Sequence, residues 1–176
     1  MKVLCFGDSN TWGYDPRGFW GGQYDMPWPE WLGMLTGWEV VNLGENGRQI
    51  PGGPVELLSG DRVLVMLGTN DLLQGATAEW AGERMEAFLT GLLPHCPGVV
   101  LGCPPPMKRG AWVPTDALVE GSCHLGDVYA ALARKRGIPF VDTREWGIEL
   151  AFDGVHFTEE GHRVFAEKLR MELQGF

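Results

Sequence analysis

Three side chains in this chain could together break an acyl bond: a serine, Ser9, and an aspartate and a histidine three positions apart, Asp153 and His156. A serine hydroxyl is a weak nucleophile until a base takes its proton. The Asp-x-x-His spacing, in a loop containing Gly154, lets Asp153 hold one imidazole nitrogen while the other faces outward, as a catalytic base requires. Ser9 follows Gly7-Asp8 at the end of an apolar run, Val3 to Phe6. Such a run reads as a buried strand, and Ser9-Asn10-Thr11 read as a helix start. A hydroxyl placed there is exposed at a strand's carboxyl end, where the N–H groups of the helix N-terminus favour an anion or oxyanion. Acyl transfer also needs donors for the developing oxyanion. The backbone N–H groups of Ser9 and Gly47 and the side-chain amide of Asn70 would supply them. Each feature also has a plainer reading. Asp8 and Ser9 can cap a helix, Gly47 can serve a left-handed turn and Asn70 can brace its own turn. Asp153 can cap a loop that leaves His156 on the surface. Chemistry is favoured because all these groups fall on turns that one fold would gather at one rim.

That fold follows from the alternation of apolar runs and helical stripes. Trp38 to Leu43 reads as a second strand and runs into the turn Gly44-Glu45-Asn46-Gly47-Arg48. Arg62 to Leu67 is a continuous apolar strand of the kind buried on both faces, ended by Gly68-Thr69-Asn70-Asp71. Val99 to Gly102 is the fourth strand, and Ile138 to Val141 the fifth, its internal Pro139 marking a sheet edge. Between them lie a short helix at Pro29 to Leu35 and a helix at about Ala78 to Leu93 with Ala81, Met85, Phe88, Leu89 and Leu92 on one stripe. A further helix spans about Val119 to Arg136, closed by Gly137. The last helix starts at the N-cap Thr158, carries Glu159 and Glu160 in its first turn and buries Phe165, Leu169 and Leu173. Tyr14 to Met26 reads as a loop over one edge of the site, and Pro54 to Leu58 as at most a short helix. Five strands alternating with helices predict a three-layer α/β/α sandwich around a parallel sheet. Right-handed crossovers allow the flavodoxin-like order 2-1-3-4-5, which makes the turns after strands one, two and three converge on one crevice.

Composition bounds the rest. The chain has 176 residues, a length that fits one domain spanning 1–176 with a real core. Its formal charge is −9 and no basic cluster stands out beyond Arg134-Lys135-Arg136 at a helix end, so a nucleic-acid partner is not expected. No apolar stretch approaches membrane-spanning length, and Met1-Lys2 leads into only a short apolar run, unlike a signal peptide. The four cysteines show neither a CxxC pair nor a zinc spacing, so reduced thiols in a cytoplasmic protein are expected, with Cys5 in the core. The chain has eight tryptophans, with Trp20, Trp28, Trp31 and Trp38 clustered within nineteen residues. They read chiefly as core and cover, with some available for a pocket mouth or a contact between copies in a homo-oligomer. His95 and His124 are assigned to packing or capping, and His162 to the last helix, solvated or packed.

Taken in order, Gly7-Asp8-Ser9-Asn10, Asn42-Leu43-Gly44-Glu45-Asn46-Gly47, Gly68-Thr69-Asn70-Asp71 and Asp153-Gly154-Val155-His156 resemble the four sequence blocks of the SGNH (GDSL-type) hydrolases. The resemblance spans nearly the whole chain. Thr11-Trp12-Gly13, Met66 to Asp71, Pro104 to Pro106 and His156-Phe157-Thr158-Glu159 are most similar to its bacterial arylesterase/acyltransferase branch. The resemblance implies Ser9 as nucleophile, His156 as general base and acid, Asp153 as the orienting carboxylate, and Ser9, Gly47 and Asn70 as the oxyanion hole. It implies a small-molecule ester as substrate and no metal or organic cofactor. Asn10 stands where the name-giving motif has leucine, which bears on specificity more than on chemistry, and the stretch from Gly47 to Asp61 is short. Asn10, Trp12, Arg48 and Pro105, the last in the loop from Pro104 to Pro114, are expected to wall the substrate pocket.

The expected activity is hydrolysis of short acetyl or aryl esters through an acyl-Ser9 intermediate, since no long apolar segment offers a lid for a fatty chain. Within the same family a carbohydrate O-deacetylase, a thioesterase or lysophospholipase, and an acyltransferase are the alternatives. Outside it stands a flavodoxin-like module holding a nucleotide or flavin phosphate at the Gly7 to Thr11 turn, which would have no use for Asp153 and His156.

Overall fold

A computed structural model of the chain describes residues 1–53, 55 and 61–174. In chain order the elements are β1 (Lys2–Gly7), α1 (Ser9–Trp12), β2 (Tyr14–Asp15), β3 (Gly22–Gln23), α2 (Trp28–Thr36) and β4 (Glu39–Gly44). There follow β5 (Arg62–Met66), α3 (Thr69–Leu73), α4 (Ala78–Leu92), β6 (Val99–Gly102), α5 (Asp116–Arg136), β7 (Phe140–Val141) and α6 (Glu159–Leu173). The central sheet has the order β4-β1-β5-β6-β7, all neighbours parallel. This is the 2-1-3-4-5 arrangement of an α/β fold.

Successive side chains of a strand point to opposite faces, and here that alternation sorts the apolar runs into two cores. Leu4, Phe6, Val63, Val65, Val99 and Leu101 face α4 and α5, where they meet Met85, Phe88, Leu89, Leu125 and Tyr129. Their neighbours Val3, Cys5, Leu64, Met66 and Val100 face the other way, onto Trp28 and Leu32 of α2 and Phe165 and Leu169 of α6. A strand buried on both faces has no place for an alternating polar residue, which is why these segments read as unbroken apolar runs. Among the described residues no helix is long and apolar enough to cross a membrane.

Several boundaries differ from expectation, each for a local reason. α5 begins three residues early, at Asp116, because the Thr115 hydroxyl accepts from the Leu118 N–H and caps it there. β7 keeps only Phe140 and Val141 of the fifth run: it is the sheet's edge, and Pro139 before it has no N–H to give a ladder. The loop from Tyr14 to Met26 contains a two-residue antiparallel pairing, Tyr14 with Gln23 and Asp15 with Gly22. α6 starts as expected, with the Thr158 hydroxyl accepting from the Gly161 N–H at 3.0 Å, a cap typically worth about 1 kcal/mol. The short helix expected over Pro54 to Leu58 lies outside the described residues, Val55 aside.

Candidate active site

Ser9 is the first residue of α1, directly at the end of β1. Asp8 caps that single turn, its Oδ1 accepting from the Asn10 N–H at 3.0 Å. The capping reading and the chemical reading of this turn are therefore compatible: the aspartate caps, and the serine hydroxyl is left to point elsewhere. It points at the imidazole of His156, with Ser9 Oγ 2.9 Å from Nε2. On the other side of the ring, His156 Nδ1 lies 2.6 Å from Asp153 Oδ2. An ionised carboxylate can only accept, so the Nδ1 hydrogen faces Asp153, and Nε2 is left to accept from the serine.

The carboxylate is itself immobilised. Asp153 Oδ1 accepts from the N–H groups of Val155 at 2.9 Å and His156 at 3.0 Å. Burial pushes this carboxyl up, but the bond from the His156 ring and the two backbone N–H groups outweigh it and hold it below the usual carboxylate range. The loop can turn so tightly because Gly154 has φ +81°, and a Cβ there would lie 2.1 Å from the Lys108 carbonyl oxygen. The loop after β6 is laid against it: the Lys108 N–H donates to Gly154 O, the Ala111 N–H to Phe152 O and the Trp112 N–H to Asp153 O. Two aromatic rings bracket the imidazole, Tyr14 with its centroid at 4.6 Å and Trp112 edge-on at 5.0 Å.

The sheet order sets β4, β1 and β5 side by side, so Gly47, Ser9 and Asn70 emerge on neighbouring turns. Gly47 has φ +75°, the left-handed turn its residue type suits. Neither its N–H nor that of Ser9 has a hydrogen-bond partner among the described residues. Asn70 donates one amide hydrogen to the Arg48 carbonyl at 3.0 Å, which locks the amide beside Gly47 and leaves its second hydrogen available. Behind it, Asp71 accepts from the Ile50 N–H at 3.0 Å and stands 3.3 Å from Arg84 Nη1. That pairing fastens the turn after β4 to α3 and α4. Burial pushes the Asp71 carboxyl up. Asp8 is pushed to about 6, chiefly by burial and against the pull of the Asn10 N–H, His156 and Arg48.

Of the residues expected to wall a pocket, two are turned to other work. Asn10 is buried, its side-chain amide spent on backbone groups of Val155 and Phe157. The Arg48 guanidinium donates to the carbonyls of Gly7 and Leu43, pairs with Glu45 and lies over the Phe6 ring at 4.3 Å, so it ties β1 to β4 beneath the turns. Pro105 is buried. Trp12 is half-buried at the end of the Ser9 turn. From the loop after β6 it is Trp112 that reaches the imidazole. Tyr14 carried no sequence signal beyond its place in a covering loop.

The remaining histidines separate clearly. His124 is exposed in the middle of α5, 2.8 Å from Glu79, so it neither packs nor caps. His162 is packed: it is fully buried in the first turns of α6.

A sequence model described as the GDSL-like lipase/acylhydrolase family matches residues 5–164. No functionally curated protein matches the chain in sequence. Among solved structures, the chain is similar to the aryl esterase of M. smegmatis at 26% identity and a TM-score of 0.81, over 99% of this chain and 98% of that one. It is also similar to a carbohydrate acetylesterase family member from Sinorhizobium meliloti, at 26% identity and a TM-score of 0.79, over 98% of this chain and 99% of that one.

Proposed function

The chain belongs to the GDSL-like lipase/acylhydrolase family of ester-hydrolysing enzymes, and from that premise we propose that it is a serine esterase acting on short acyl esters through an acyl-Ser9 intermediate. The observation that carries this reading is the unbroken chain of short contacts from Ser9 Oγ through His156 to Asp153. His156 Nε2 takes the hydroxyl proton as Ser9 Oγ attacks the ester carbonyl. The tetrahedral oxyanion is met by the N–H groups of Ser9 and Gly47 and by the free hydrogen of the Asn70 amide. His156, now protonated and steadied by Asp153, returns its proton to the departing alcohol. Water then enters by the same route, gives a proton to His156 as its oxygen attacks the acyl carbon, and the acid leaves as His156 returns that proton to Ser9 Oγ.

The alcohol departs from the imidazole side, where Tyr14 and Trp112 stand. A flat aryl group suits that aromatic flank. Covalent labelling with a fluorophosphonate tests the nucleophile: labelling of the parent protein and its loss in Ser9→Ala are expected. Labelling that persists in Ser9→Ala removes Ser9 from the reaction. On p-nitrophenyl esters, turnover is expected to fall from acetate to butyrate to octanoate, and a rise along that series overturns the short-acyl reading.

A second reading within the family rests on an open cavity of about 440 Å³ lined by Gln49, Gln74, Gly75, Ala76, Thr77 and Trp80. It borders the donor turns, because Gln74 caps α3 with its N–H on Asn70 O and Gln49 follows Arg48. Amides, a hydroxyl and an indole face are the groups that hold sugar hydroxyls and ring faces, which would favour an acetylated carbohydrate. Acetate release from acetylated xylose, compared with phenyl acetate, separates the two.

A further inference from the structure

The loop that carries Asp153 and His156 follows β7, at the far edge of the sheet from β4. β1, which carries Ser9, is separated from β7 by β5 and β6. At the usual spacing between strands, that places the two roots roughly 14 Å apart. Something must hold the returning loop in register with the nucleophile turn. One side chain of the nucleophile turn does so by direct hydrogen bonds to that loop's backbone. Asn10, adjacent to Ser9, donates its Nδ2 to the Val155 carbonyl at 3.0 Å and accepts the Phe157 N–H on Oδ1 at 2.9 Å. Val155 and Phe157 are the two residues flanking His156.

We propose that Asn10 is a positioning residue for the general base: its amide grips the backbone on both sides of His156 and sets the imidazole's distance and aim relative to Ser9. This rests on the acyl-Ser9 reading above. An asparagine side chain offers one donor and one acceptor in a fixed planar arrangement, so it matches a backbone that presents a carbonyl and an N–H two residues apart. A leucine, the residue of the motif this turn resembles, can do neither. Asn10 is 4% exposed and its residue neighbours on the loop are buried, so no solvent water stands ready to replace it. The backbone of Asn10 is fixed independently, by its N–H on Asp8 Oδ1. The grip therefore runs from β1, through the cap of α1, to the loop before α6.

The geometry also explains why the grip matters to rate rather than to substrate affinity. The Asn10 side chain is spent on the backbone on either side of His156, so its loss is expected to act on the base and not on the groups that hold the ester. It acts on the Ser9 Oγ to His156 Nε2 separation of 2.9 Å, and a misplacement on the order of 1 Å in such a pair costs up to about a hundredfold in turnover.

The test compares the parent protein with Asn10→Leu, which keeps the branched shape and removes both bonds, and with Asn10→Asp, which keeps the size and the acceptor for Phe157 and removes the donor to Val155. On p-nitrophenyl acetate, Asn10→Leu is expected to lower kcat roughly ten- to a hundredfold with KM unchanged, and Asn10→Asp to fall between it and the parent. In a His156→Ala background, Asn10→Leu is expected to change the residual rate less than about twofold, because the two residues act as one unit. A kcat unchanged in Asn10→Leu, or an equal loss in both backgrounds, overturns the proposal. A second readout does not depend on turnover: the low-field proton resonance of the Asp153–His156 hydrogen bond is expected to broaden or shift in Asn10→Leu, and an unaltered resonance counts against the proposal. A parent protein that hydrolyses no ester overturns the esterase reading, while the resonance still decides the role of Asn10. If Asn10→Leu does not fold, Asn10→Asp carries the same comparisons.

Discussion

His156 and His162 lie six residues apart, on either side of the Thr158 cap, and both are buried, at 2% and 0% exposure. Each is also flanked by aromatic rings. His156 has Tyr14 and Trp112, and His162 has Tyr24 and Phe157, both at 5.2 Å. Their hydrogen-bond partners differ. His156 has a buried carboxylate on one nitrogen and a hydroxyl on the other. His162 accepts the Trp28 N–H on Nδ1 at 3.2 Å, and its Nε2 is buried without a partner among the described residues. Burial, then electrostatic coupling to the nearby His156 imidazole, pushes the His162 imidazole down to about 3. Burial alone turns a histidine into a neutral packing residue. It becomes a base only where a carboxylate, already held by two backbone N–H groups, stands ready to stabilise the imidazolium.

Removing each ring in turn breaks or sustains that contrast most forcefully. His156→Ala is expected to lower kcat by about five orders of magnitude on p-nitrophenyl acetate, since loss of the base in such a unit costs about as much as loss of the whole unit. His162→Phe is expected to leave kcat near the parent value. Comparable losses in both would dissolve the distinction. A finer cut leaves the ring and removes only the charge beside it. Asp153→Asn can keep the backbone bonds from Val155 and His156 but presents the ring with the wrong partner, and a loss of about 10⁴-fold in kcat is expected. If the loss is under tenfold, the carboxylate is there for loop geometry alone. On the opposite flank of Ser9, Asn70→Ala removes a proposed oxyanion donor, for an expected loss of about 10²- to 10³-fold in kcat with little change in KM. Unchanged turnover would leave Asn70 only its brace to the Arg48 carbonyl.

The same contrast shows what could be read from the sequence. Strand positions were legible because burial on both faces demands unbroken apolar runs, as in Arg62–Met66. The start of α6 was legible from the Thr158 cap and the acidic residues after it. Ser9, Asp153 and His156 were legible as a group because their residue types fall at turns a parallel sheet gathers on one rim. Long-range commitments of polar side chains were not. The amide of Asn10 and the guanidinium of Arg48 bond backbone atoms 145 and 41 residues away, and no local pattern announces such a partner. Tyr14 next to His156 was hidden for the same reason, since β2 and β3 are two residues each, too short for any period to show. Nor does sequence tell which tryptophan is covered: Trp28 is fully buried whereas Trp20 is 91% exposed.

The smallest expected effect concerns stability, and it tests the neutral histidine directly. The ordinary imidazole pKa is 6.5, and in the folded protein His162 sits at about 3. Between those values the unfolded chain takes up a proton that the folded protein refuses, so stability falls as pH drops through the window. The slope is at most about 1.4 kcal/mol per pH unit. Above pH 6.5 both states are neutral and the group contributes no slope. His162→Phe fills the cavity but leaves the Trp28 N–H without its acceptor, a cost of about 1–3 kcal/mol. In urea unfolding at pH 7.5 the variant should therefore be the less stable protein. By pH 4.5 the gap should have narrowed by roughly 2–3 kcal/mol or inverted, because only the parent carries the acid penalty. Asp8, Asp153 and the other titrating groups are present in both proteins, so the difference reports His162 and its coupling to His156 and Asp15. A gap that stays constant from pH 7.5 to 4.5 would mean that His162 accepts a proton in the folded state, and that its aromatic cage does not keep it neutral.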